Sequence, residues 1–197
     1  QAFPRWFGNN KPSPVKDGSL PSNGSGKFRD FTDEALAGIR ELGTTHIWLT
    51  GIIEHATKTN YSVYGIKRDH SAVVKGNAGS PYAIKDYYDV DPDLSVNVYN
   101  RMNEFEASVE QIHRAGMKVI IDFAANHVAR QYGSDSKLPY IEDLGQNDNT
   151  SNAFDPDNNF YYLPGQTLTL HFGAQQEDFE YSEFPAKVTG NDRFTAT

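Results

Sequence analysis

Asp122, Asn126 and His127 stand close together at the end of an otherwise apolar run, KVIIDFAANHVAR (118–130). A carboxylate, a carboxamide and an imidazole in this order offer hydrogen-bond acceptors, donors and a group that titrates near neutral pH. Such a set can grip a polyhydroxylated ligand. It can also be purely structural, with Asp122 pinning a neighbouring loop, Asn126 capping a turn and His127 satisfied in the core. Spacing alone leaves both readings open. An acid placed late in a buried strand costs several kcal/mol, on the order of a lost hydrogen bond or more, unless it is paired or hydrogen-bonded. A second polar pair, Glu54 and His55, follows the apolar run THIWLT (45–50).

The elements that must position these groups are legible around them. TDEALAGIREL (32–42) is predicted as a helix, with Thr32 as its cap, Asp33 and Glu34 at its positive end and Gly43 closing it. Phe31 and Leu36 have the spacing of a hydrophobic staple, and Leu36, Ile39 and Leu42 form its apolar stripe. THIWLT (45–50) reads as a strand, and a loop of nearly fifty residues (51–99) follows it, far longer than ordinary connections. A second helix is predicted over about 100–115, with Asn103 and Glu106 at capping-box spacing and Met102, Phe105, Val109 and Ile112 on one face. KVIIDF (118–123) is the next buried strand, and QAFPRWFG (1–8) the end of an earlier one. Strand, helix and strand in this order give a parallel crossover and an α/β architecture. In such folds ligands sit at the carboxyl ends of strands, so the two polar clusters are expected on one rim. From 128 onward the chain turns loop-rich, with TLTLHF (167–172) as a short strand.

Composition narrows the partners. Lys plus Arg number 18 against 26 Asp plus Glu, a formal charge of −8, which disfavours nucleic acid and anionic lipid surfaces. Aromatic residues make up 13% of the chain, and exposed rings suit the flat faces of sugars. There is no cysteine, so disulfides and thiolate metal sites are excluded, and no apolar run is long enough to span a membrane as a helix. The sequence starts at Gln1, so it carries no information about a signal peptide.

Four ordered blocks resemble the alpha-amylase family, glycoside hydrolase family 13: QAFPRWFG, LGTTHIWLTGIIEHA (42–56), GSPYAIKDYYDVDPDLS (79–95) and the D-x-x-x-N-H of Asp122, Asn126 and His127. The resemblance implies a partial (β/α)8 TIM barrel, about its first three β/α units, over 1–127. It implies an incomplete inserted B domain over 128–197. Tyr82 would stack on the sugar beside the cleaved bond, His127 would donate to its hydroxyls, and Asp122 would orient groups at the base of the site. Asn126 would brace the loop and, in some members, binds calcium, the one structural metal implied; the chemistry itself needs no cofactor. Asp86, Tyr87 and Tyr88 are expected to hold the long loop together.

Departures from the family's pattern are Ala125 and Gly51, where proline is common, and Gly79 or Ser80, where some alpha-glucosidases use an aspartate. The last of these tilts the reading towards endo-acting amylases. Retaining glycosidases need two carboxyl groups about 5–5.5 Å apart. The family draws both from later barrel strands, and its Gly-Phe-Arg-x-Asp-like strand is found nowhere before Thr197. The expectation is therefore a piece of a hydrolase of α-1,4-glucans, inactive alone, whose partners are an α-glucan or malto-oligosaccharide and the remainder of the catalytic domain. Two alternatives stay open: a transglycosylase or isomerase of the same superfamily, and a non-catalytic carbohydrate binder. A polymeric substrate points to an exported (periplasmic or extracellular) protein.

Overall fold

The computed structural model describes residues 1–170 and 179–188. Its centre is a parallel pair of strands, β1 (His46–Leu49) and β4 (Lys118–Ile121), in the register His46 to Lys118 through Leu49 to Ile121. Ala2 bridges Leu49 in parallel, which places the N-terminal segment beside β1 as the sequence predicts. Helix α1 (Asp33–Glu41) leads into β1, and helix α2 (Arg101–Arg114) leads into β4.

Helix α1 begins where its sequence says it should. The Thr32 hydroxyl accepts a hydrogen bond from the Ala35 amide at 3.2 Å, and Gly43 takes the left-handed conformation just past the last turn. Phe31 and Leu36 are both fully buried. They belong to one cluster with Phe28, Ile47, Leu49, Ile112 and Met117, and Phe7 stacks on Phe31 at 4.4 Å between ring centroids. Leu42, expected on the apolar stripe, is instead 84% exposed, because the helix ends at Glu41 and the chain turns away.

Helix α2 differs at its start. Its N-cap residue is Asn100, and Asn103 does not cap it. Glu104, rather than Glu106, is the acid that works there: its two oxygens accept the Val96 and Asn97 amides at 2.7 and 2.8 Å. On its inner face Ile112 and Ser108 are buried and Phe105 packs on the core, while Met102 is exposed.

The segment 51–99, expected as one long loop, contains an antiparallel pair: β2 (Ile53–His55) against β3 (Ile84–Val90), with irregular register on either side of Glu54. Both strands are mostly buried despite their polar side chains. Asp89 accepts from Arg101 Nε at 2.8 and 2.9 Å and from the Ser136 hydroxyl at 2.6 Å. Asp91 and Asp93 hold Arg5 at 3.0 and 2.8 Å. Asp86, fully buried, accepts the amides of Tyr88, Asp135 and Ser136, so it holds the loop together as the sequence reading has it. Through Asp86 and Asp89, residues 134–136 dock on β3. A last short pair, β5 (Tyr162–Leu163) with β6 (Ala186–Lys187), is antiparallel. Residues 167–170 form no strand, and His171 and Phe172 of the expected TLTLHF strand lie outside the described residues.

The strand KVIIDF, expected to be buried, is largely exposed: Ile120, Ile121 and Phe123 all face water. Among the described residues β4 pairs only with β1, so nothing covers that side.

Arg101→Ala strands the buried Asp89 carboxylate. We expect a loss of about 3–5 kcal/mol in urea unfolding, and the double variant Arg101→Met/Asp89→Leu should recover most of it.

Candidate functional site

The carboxyl end of the parallel pair forms a small platform. The Asp122 amide donates to the Leu49 carbonyl at 3.0 Å, and the Thr50 amide donates to Ala2 at 3.0 Å. The Gln1 carboxamide reaches the Thr50 hydroxyl at 2.7 Å. Gln1, Phe3, Thr50 and Pro81 line a hollow of about 400 Å³ at this level. Sequence reasoning did not single out these four. Gln1 and Thr50 lie far apart in the chain, and only the pairing of Ala2 with Leu49 brings them together.

Tyr82 follows Pro81 directly. It is 41% exposed, and its hydroxyl donates to Asp122 Oδ2 at 3.0 Å, across forty residues of sequence. That hydrogen bond to an anionic acceptor raises the pKa of the phenol, with a little desolvation adding to it. Asn126 and His127 are exposed, and His127 Nδ1 faces Asn126 Oδ1 at 2.9 Å, which makes Nδ1 the protonated nitrogen of that contact. Tyr82 and Asp122 are therefore joined directly, whereas Asn126 and His127 bond to each other a few residues further along.

Two glycines let the loop reach this position. Gly51 has φ +73°, and a Cβ there would come within 2.8 Å of both the Phe3 ring and Pro81. Gly79 has φ +78°, and its Cβ would lie 1.7 Å from the Ala56 carbonyl oxygen. Only glycine combines this left-handed backbone with so close an approach.

Glu54 and His55 do not share the open rim, contrary to expectation; both are buried. His55 Nε2 donates to the Ala78 carbonyl at 3.1 Å, and its other nitrogen lies 3.9 Å from Asp91. Glu54 sits 3.8 Å from the Lys85 ammonium, which also lies 3.3 Å from Asp69. One oxygen of Glu54 and one of Asp69 are buried without a hydrogen bond. Burial pushes the Glu54 carboxyl up to about 8, because Lys85 only partly offsets the loss of water, and Asp89 and Asp86 nearby oppose its charge further. Burial likewise raises Asp69. Alternation rules cannot find such a cluster, since they read polar strand residues as solvent-facing.

Among the described residues no three His, Asp or Glu side chains gather into a group that could hold a metal ion. Asn126 brings a single carbonyl oxygen, already turned to His127. Among the described residues, no such acidic group accompanies Asn126, where the resemblance implies calcium.

Residues 1–148 match the family model described as the alpha-amylase catalytic domain, and the chain belongs to that family. It is 32% identical over 122 residues to an alpha-amylase of Streptomyces lividans, covering 57% of this chain and 12% of that protein. It is 28% identical over 123 residues to a cyclomaltodextrin glucanotransferase of Bacillus licheniformis, covering 62% and 15%. It is 37% identical over 132 residues to the amino acid transporter heavy chain SLC3A1 of Mus musculus, covering 67% and 14%. Among solved structures, an alpha-amylase from Lactobacillus plantarum superposes with a TM-score of 0.40 at 31% identity, covering 53% of this chain and 20% of that one. The chain thus spans a small part of the length of the relatives it matches. No helix among the described residues is long and apolar enough to cross a membrane.

The raised carboxyl of Glu54 links stability to pH. Its folded pKa lies above the unfolded value near 4.5, so its contribution is complete below about pH 4.5 and is lost as pH rises towards 8. Glu54→Gln, which cannot ionise, should flatten the fall of Tm between those limits and gain roughly 1–3 kcal/mol relative to the parent at pH 8. Thermal melts of both proteins at several pH values check this; parallel curves refute it.

Proposed function

We propose that residues 1–127 form about the first three β/α units of a (β/α)8 barrel, and 128–197 part of an inserted B domain. In this reading Tyr82, Asp122 and His127 line the α-glucan cleft of a retaining glycoside hydrolase. The observation that carries it is the Tyr82–Asp122 hydrogen bond, which joins an exposed aromatic ring to a carboxylate at the carboxyl end of a parallel strand. A ring fixed in this way can take the apolar face of a sugar. Asp122 holds the ring and keeps an oxygen for groups at the base of the cleft, and the exposed His127 keeps its second ring nitrogen for a sugar hydroxyl.

The carboxyl pair that would break the glycosidic bond, through an oxocarbenium-like transition state and a glycosyl-enzyme intermediate, is assigned to barrel strands outside these 197 residues. Among the described residues no second carboxylate bonds to Tyr82 or Asp122. An exported location is part of the proposal, since a polymeric glucan is met outside the cell.

The similarity to a protein named as a transporter heavy chain keeps a second reading in view, a non-catalytic, amylase-like carbohydrate binder. The similarity to glucanotransferases raises transfer to a sugar acceptor as a variant of the first.

The protein expressed from its complete reading frame is expected to hydrolyse soluble starch, and residues 1–197 alone to show no activity. Tyr82→Ala and His127→Ala should each lower kcat/KM about 10²-fold. Glucan binding without any turnover would favour the second reading, and transfer products in excess of hydrolysis the variant.

A further inference from the structure

Away from Tyr82, a second hollow of about 190 Å³ lies between the N-terminal segment and the loops at 59 and 77–78. Arg5, Trp6, Lys11, Asn23, Thr59 and Asn77 are among its lining residues. Its walls are fixed by bonds that span the loop. Asn9 donates to the Asn23 carbonyl at 3.0 Å, and Asn23 pairs with both the amide and the carbonyl of Val15 at 2.8 Å. Asn77 donates to the Asp17 carbonyl. The wall is therefore preformed, which lowers the entropy cost of taking a ligand.

Trp6 is held in a tight turn, its amide donating to the Phe3 carbonyl at 2.9 Å, yet its side chain is 63% exposed. So large an apolar ring left in water beside a hollow is the informative kind of exposure. The charge of Arg5 is spent on Asp91 and Asp93 beneath, so the floor favours a neutral occupant. Among the described residues the Trp6 indole N–H has no hydrogen-bond acceptor and the Lys11 ammonium no carboxylate partner, which leaves two donors for hydroxyl oxygens. An apolar ring, a neutral floor and a few donors fit one pyranose ring. Position adds to this: Trp6 is three residues from Phe3, which lines the hollow beside Pro81 and Tyr82.

We propose that the Trp6 hollow is a further subsite for one glucosyl unit of the glucan, remote from Tyr82 and stacked on the indole. The proposal rests on the reading of the Tyr82 site as a glucan cleft. Calorimetric titration of the protein from its complete reading frame with maltose and with maltoheptaose tests both. Trp6→Ala should weaken maltoheptaose about tenfold and leave maltose within about twofold, since a stacked ring contributes on that order. Trp6→Phe should keep most of the affinity, which separates loss of stacking from misfolding. If Trp6→Ala binds maltoheptaose like the parent, the subsite alone is refuted. If it weakens both sugars equally, the remote placement is refuted. If the parent binds neither sugar, the subsite falls together with the cleft.

Discussion

Asp91 and Asp93 are almost entirely buried, and the arginine they share comes from the far end of the chain. Two carboxylates taken out of water cost several kcal/mol each unless cations and donors meet them. Here Arg5 meets both, the Tyr61 hydroxyl donates to Asp93 at 2.5 Å, and Lys27 reaches the Asp93 carbonyl. Burial and the proximity of Asp93 nevertheless raise the Asp91 carboxyl, with His55 and Arg5 pulling the other way. Because each partner lies on a different stretch of chain, the pair can be satisfied only when the N-terminal segment, β2, β3 and the connecting loop are all in place. The network sets geometry more than it adds stability, since a buried ion pair rarely outdoes apolar packing.

The rim inherits its shape from that constraint. Asp86 and Asp89, which lie on β3 ahead of Asp91, tie that strand to residues 134–136 and to α2. His55 fastens Ala78, and Gly79 passes under the Ala56 carbonyl at a distance no side chain could tolerate. Tyr82 is then delivered three residues later, where its hydroxyl finds Asp122. An exposed phenol alone would be free to rotate; fixed at both its backbone and its hydroxyl, it is held in one orientation, which is what the proposed stacking on a sugar requires.

What could be read from the sequence was what local chemistry decides. The Thr32 cap, the Phe31–Leu36 staple and the strand–helix–strand order of 46–121 depend on neighbours a few residues away, and the structure has them. The β2–β3 pair was not legible, because Glu54, Lys85, Asp86 and Asp89 are polar residues that bury against one another, which inverts the rule that polar positions face solvent. Capping at Asn103 failed for a related reason. Glu104 serves the turn at 96–97 rather than the helix, a contact that spacing within the helix cannot show. Tyr82 and Asp122 were placed in one site by family resemblance alone, and their hydrogen bond was not foreseen, since forty residues separate them and no periodicity connects them.

The parallel pair carries the remaining piece of information. In β1, Ile47 and Leu49 turn into the core while Trp48 stands 44% exposed, and its register partner Ile120 is 43% exposed. Strands of a half-solvated sheet alternate apolar with polar, whereas strands covered on both faces are apolar throughout. HIWL and KVII, past their first residues, follow the second pattern. Their composition is that of parallel strands with a layer on each side, and the described residues supply only one of the two. A cleft built at the carboxyl end of such strands needs the other layer to close its floor and exclude water, because electrostatic stabilisation of a developing charge weakens steeply in high dielectric. That is the physical reason for assigning sugar recognition to these residues and bond cleavage to a larger body of which they would form one wall.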